Sequence, residues 1–216
     1  MRNSAGARYR FDDGAAVLQE PIVKRALGAD WERVPEILRW NFGLSPGTDS
    51  EVRLKGLMHE ITYSRIGSLF VWPARLFGAL VPYQGKNIRI RIDIRTHASD
   101  PRFMYWQRVH CFRAHPECIF ASRMEYLSGS DFIERVRTGL GMRMRASVTD
   151  GVLKFEAVCY QWDLFGLRIR LPNWLLMGTG VILEKQTGPD EFSMHFEINH
   201  PWWGRTFTYS GVFSFT

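Results

Sequence analysis

Cysteine is scarce: the chain has three, Cys111, Cys118 and Cys159, with no Cys-x-x-Cys among them. An odd, unpatterned set argues against a disulfide framework and fits a reducing compartment. Lysine is also rare. Of 28 basic residues only Lys24, Lys55, Lys86, Lys154 and Lys185 are lysine, so the net charge of +6 is carried by arginine. A long apolar run is missing too. The nearest approach, Ile66–Val81, contains Pro73 and Arg75, follows Arg65, and falls short of the ~20 residues a span needs. The N-terminus is polar and lacks the apolar stretch of a secretory signal. These absences lead to the expectation of a cytoplasmic protein. No Gly-x-Gly-x-x-Gly follows a strand, so no cofactor is expected, and any dehydrogenase chemistry would have to come from a partner. No serine nucleophile is expected either.

What the chain does have is alternation. Ile88–Arg95 reads Ile-Arg-Ile-Arg-Ile-Asp-Ile-Arg, the period-two pattern of a strand with one apolar and one charged face. The same grammar recurs in Glu51–Tyr63, Arg102–Phe112, Glu117–Leu127, Phe132–Thr149, Val152–Trp162, Phe165–Leu171, Gly180–Thr187, Glu191–Asn199 and Thr206–Phe215. Asp150-Gly151 is a hairpin signal. Ahead of the strands, residues 1–16 read as a loose arm. Pro21–Leu27 reads as a short helix ended by Gly28. A second helix capped by Asp30 puts Trp31, Val34, Ile37, Leu38 and Phe42 on one stripe, with Pro35 in its first turns. Ile66–Leu80 reads as an amphipathic helix kinked near Pro73, with Leu69, Phe70, Leu76, Phe77 and Leu80 inward. The expected fold is α+β and mainly antiparallel: one strongly curved sheet or barrel of about nine strands, with N-terminal helices and one covering helix. Residues 17–216 are read as a single domain.

An ordered set of landmarks carries a resemblance. They are Leu27-Gly28-x-x-Trp31 with Pro35, Trp106-x-Arg108, Phe120-x-Ser122, Asp150-Gly151-x-Leu153, Leu171-Pro172-x-Trp174-Leu175, Glu184, and His200-Pro201-Trp202-Trp203-Gly204 followed by Tyr209-Ser210-Gly211. Together they resemble the domain of unknown function 4166 family over nearly the whole chain. Members occur alone or joined to dehydrogenase-like nucleotide-binding domains. The resemblance therefore implies a companion to redox or lipid metabolism, with an NAD(P)-dependent reductase-like partner. It supplies no activity and no catalytic residues.

Trp106-x-Arg108 puts an arginine and an indole on one strand face, and Glu184 and Tyr209 on later strands can face the same interior. Such an arginine can hold a carboxylate or phosphate head group, with an apolar pocket for the tail. Arg108 and Glu184 can equally form a structural pair around a packed Trp106. Trp162 and Phe155 are further candidate lining residues.

His110, Cys111, His115 and Cys118 crowd together, but their spacing is poor for a metal and none is expected. His59-Glu60 and His195-x-Glu197 could supply a general acid or base, but neither histidine is favoured as catalytic, and His195, opposite the apolar face of its strand, is read as exposed. Of Trp202 and Trp203, at least one ring is expected to be buried; an exposed pair would anchor at a membrane surface or a partner. Strand arginines are read as a solvated outer face, and nucleic acid is not expected as a partner.

The favoured function is a binding module for a hydrophobic, lipid-like small molecule, with peripheral membrane contact. The alternatives are a proton-transfer enzyme of isomerase, cyclase or decarboxylase type in the same cavity, and an interaction domain with a filled core.

Overall fold

A computed structural model describes residues 19–76, 78 and 80–216. The loose arm expected for residues 1–16, and Phe77, lie outside that set.

Three short helical pieces open the described chain: α1 (Ile22–Leu27), a 3-10 turn over Gly28–Arg33, and α2 (Glu36–Phe42). The single helix expected from Asp30 onward does not form. Val34 precedes a proline and is driven into an extended conformation (ψ 131°), so Pro35 becomes the N-cap of a new helix. The apolar stripe survives the break, with Trp31, Val34, Ile37, Leu38 and Phe42 all buried.

Eleven strands follow: β1 (Ser50–Tyr63), β2 (Gly85–His97), β3 (Asp100–Cys111), β4 (Cys118–Ser128), β5 (Asp131–Val136), β6 (Leu140–Thr149), β7 (Val152–Leu164), β8 (Leu167–Leu171), β9 (Thr179–Gln186), β10 (Glu191–His200) and β11 (Gly204–Phe215). The segment Phe132–Thr149, expected as one strand, is two. Gly139 at φ +83° turns the chain, and β5 pairs back on β6.

All pairings are antiparallel, each strand joins its sequence neighbour except that β9 pairs with β7 instead of β8, and β11 returns to β1, from Leu54 opposite Phe215 to Tyr63 opposite Phe207. Ten strands thus close a barrel, one more than expected. β8 stands outside the ring. β7 gives its first half to β9 (Glu156 opposite Val181) and its second to β8 (Tyr160 opposite Leu171). The β7–β8 hairpin therefore extends past β9 as an arm, while β7 stays paired with β6 as far as Trp162 opposite Leu140.

The two ends of the barrel are closed differently. At the end holding Leu54, Trp106 and Phe155, α2 drives Phe42 inward, with ring centroids 5.7 Å from Trp106 and 5.3 Å from Phe155. At the other end α3 (Arg65–Leu76), with Pro73 inside it, leans on β1 and β11. Gly67 permits this, because a Cβ there would lie 2.1 Å from the Thr206 carbonyl oxygen. Phe70 packs on the core as expected, but Leu69 is 69% exposed and points outward.

Candidate functional site: a capped barrel cavity

Alternation in β3 turns Trp106, Arg108 and His110 into the barrel, and the pairing register brings β4, β5, β9, β10 and β11 residues around them. Between the Phe42 plug and α3 lies a cavity of about 330 Å³. Its upper walls are apolar, including Phe70, Leu80, Leu171, Met142 and Phe196. Its polar groups are few: Arg108, His110, Glu134, Tyr160, Glu184 and Tyr209. A second void of about 50 Å³ beneath it shares Arg108, Glu134 and Glu184 together with Ile182 and Met194, so a layer of three ionisable and two apolar side chains separates the two spaces.

The separating layer is internally paired. Arg108 Nη1 donates to Glu134 Oε1 at 2.8 Å and to Ser122 Oγ at 3.0 Å, and Ser122 Oγ in turn donates to Glu134. The guanidinium also lies 4.7 Å from the Trp106 ring centroid. Arg108 is thus charge-compensated by Glu134 rather than by Glu184. Glu184 is left as a carboxyl group in an apolar interior. Burial pushes its pKa up to about 8, against the opposing pull of Arg108. Its Oε2 has no hydrogen-bond partner, and neither has the nearby Asn41 Oδ1 from α2.

A second polar group stands higher in the cavity. His110 Nε2 and the Tyr209 hydroxyl are 2.8 Å apart. Burial lowers the His110 pKa to about 4 and raises that of Tyr209 above its usual range. At neutral pH the ring and the phenol are therefore both uncharged. Tyr160, also raised by burial, donates to the Gly178 carbonyl at 3.3 Å.

Of the six residues singled out from sequence, Arg108, Glu184, Tyr209 and Trp162 line the large cavity. Trp106 and Phe155 line the small void beneath it. His110, Glu134, Ser122 and Asn41 were not singled out as site residues. His110 was legible, being two residues beyond Arg108 on the same strand face. Glu134 was hidden by the missed turn at Gly139. Asn41 was hidden because a polar residue beside Phe42 on a short helix carries no signal of its own.

The histidine–cysteine crowd disperses: His110 points inward, Cys111 Sγ contacts Glu117 on the outside, and His115 stacks on Tyr83 at 4.0 Å. His59 lies exposed at a bulge in β1, and His195 reaches Glu197 at 3.5 Å on the outer face. Gly43-Leu44-Ser45-Pro46-Gly47 has the spacing of a serine elbow, but it leads from a helix into a strand, the reverse of the order that chemistry uses. The expectation that one ring of Trp202 and Trp203 is buried fails. They are 69% and 44% exposed, because the turn after β10 projects past the barrel end.

Fold and site together define an up-and-down antiparallel barrel with one plugged end and a largely apolar, helix-covered cavity. The chain belongs to the family described as Domain of unknown function (DUF4166), whose model matches residues 34–213. The landmark Leu27-Gly28-x-x-Trp31 falls before the matched region. No curated protein and no solved structure matches the chain. No helix among the described residues is long and apolar enough to cross a membrane.

Proposed function

We propose that the barrel binds an apolar small molecule ending in a neutral polar group, such as a hydroxyl or carbonyl. The carrying observation is the cavity of about 330 Å³, apolar above and floored by hydrogen-bonding groups that are uncharged or already paired. Its volume lies at the lower end of the range for small-molecule sites. A domain acting only as a docking surface has no need of such a space; a barrel filled with side chains would serve.

The charge argument narrows the ligand's polar end. Arg108 is compensated by Glu134, so a ligand carboxylate at the floor would be an extra buried charge with no free cation beside it. Glu184 in its protonated form and the His110–Tyr209 pair instead offer neutral donors and acceptors.

A matched pair of probes tests this reading. Calorimetric titration at pH 7 is expected to give at least about tenfold tighter binding of 1-decanol than of decanoate, the tenfold being about 1.4 kcal/mol of discrimination. Equal or tighter binding of decanoate would contradict it.

A further inference from the structure

The cavity end of the barrel carries an apolar surface that the fold does not use. Among the described residues, eight of the thirteen exposed large hydrophobic side chains lie on three segments there: α3, the β7–β8 arm with the turn after it, and the β10–β11 turn. Phe165 is 96% exposed, Leu167 and Leu69 69%, and Trp174 and Leu175 49%. Ring contacts join the segments, Trp174 to Trp202 at 5.8 Å and Phe70 to Trp203 at 6.2 Å. Phe70 and Leu171 also line the cavity, so the apolar surface is continuous with the cavity wall.

Phe165 is the most telling residue. It occupies the first position of a two-residue hairpin turn, at φ +48°, with Gly166 at φ +81° after it. Asparagine or glycine suits that left-handed position, and a bulky aromatic residue is strained in it. The ring touches almost nothing in the chain, so folding gains nothing in return.

Charge on the same segments has one sign. Residues 64–80, 164–178 and 200–206 contain Arg65, Arg75, Arg168, Arg170 and Arg205 and no aspartate or glutamate. On the barrel wall carboxylates are interspersed with the arginines and several pair with them, as in Arg91–Glu117, Arg95–Glu51 and Arg143–Asp131, although Arg89 and Arg123 form no ion pair among the described residues. At the cavity end Arg168 reaches Asp163, but Arg65, Arg75, Arg170 and Arg205 form no ion pair among the described residues.

We propose that this rim is a docking surface for an anionic lipid bilayer: Phe165, Trp174 and Trp202 enter the interface, the arginines meet acidic head groups, and the cavity mouth faces the membrane. Tryptophan and phenylalanine beside arginine suit that boundary, and the one-signed rim complements its negative charge. The proposal rests on the cavity reading only in supposing that the bound molecule is exchanged with the bilayer.

Co-sedimentation of the full chain with phosphatidylcholine vesicles, with and without about 30% phosphatidylserine, tests it. Binding is expected only to the serine-containing vesicles and to weaken in high salt. Phe165→Asn is expected to reduce the partition coefficient about tenfold. Because asparagine fits the turn better, the melting temperature should stay the same or rise, which separates docking from folding. The double variant Arg170→Glu/Arg205→Glu should lose binding as well.

Absence of binding to acidic vesicles would overturn the proposal, as would wild-type binding by Phe165→Asn. So would a dimer that Phe165→Asn dissociates without any vesicle binding, which would assign the rim to a second copy. Titration with 1-decanol in vesicle-free buffer keeps the two claims apart. Loss of vesicle binding with retained decanol binding removes docking alone, and the converse removes the cavity reading alone.

Discussion

Glu184 is the residue on which the polar chemistry of the cavity turns. It keeps its proton in the folded chain until about pH 8, whereas its ordinary value is 4.5. Between those values the folded state holds a proton that the unfolded chain has released, so stability falls as pH rises. The slope is about 1.4 kcal/mol per pH unit, discounted for whatever relaxation admits water. Glu184→Gln mimics the protonated form and removes this slope. Its stability advantage over wild type, from urea unfolding, should grow from near zero at pH 4.5 to a few kcal/mol at pH 8. An advantage independent of pH would contradict the assignment. His110 slopes the other way, gaining stability as pH rises from about 4 to 6.5, but it is present in both proteins and cancels in the difference. The sequence made Arg108 and Glu184 legible as buried charges because each interrupts an apolar strand face. It did not show which carboxylate Arg108 takes. That depends on the β4–β5 register, which sets Met124 opposite Glu134 and Ser122 opposite Val136.

At the scale of elements, α3 lies at the cavity mouth. Gly67 lets the helix lie against the β11 backbone, and Phe70 and Pro73 then reach the cavity. Gly67→Ala would put a methyl group onto the Thr206 carbonyl and push α3 outward. It should cost about 1–3 kcal/mol of stability, read by urea unfolding, and speed dissociation of a bound probe in stopped flow. Unchanged dissociation with lowered stability would mean that the helix is not the gate. Strand periods and the Asp150-Gly151 turn were plain in the sequence, since both follow from local geometry. The N-terminal helix break was missed because the pre-proline restriction on Val34 competes with a good apolar stripe, and the restriction won. Leu69 was misassigned for a different reason. A helix seated over a barrel mouth buries only a narrow strip of its surface, and the apolar stripe of α3 is wider than that strip because Leu69 belongs to the exposed rim.

For the whole molecule, closure of the sheet is what makes a cavity. β1–β11 pairing joins the two ends of a meander and leaves no edge there, while β8 is displaced onto an arm. Neither event could be read from alternation, because alternation gives faces and not partners. The central claim is that the enclosed space holds a molecule, and it is tested most directly by mass spectrometry of an organic extract. Freshly purified wild-type protein, a mock purification and a Met142→Trp variant that narrows the cavity would be denatured and extracted side by side. The account predicts a near-stoichiometric apolar compound with a hydroxyl or carbonyl terminus from wild type, and clearly less from the folded variant. A wild-type extract no different from the mock, or the same compound in equal amount from Met142→Trp, would contradict it.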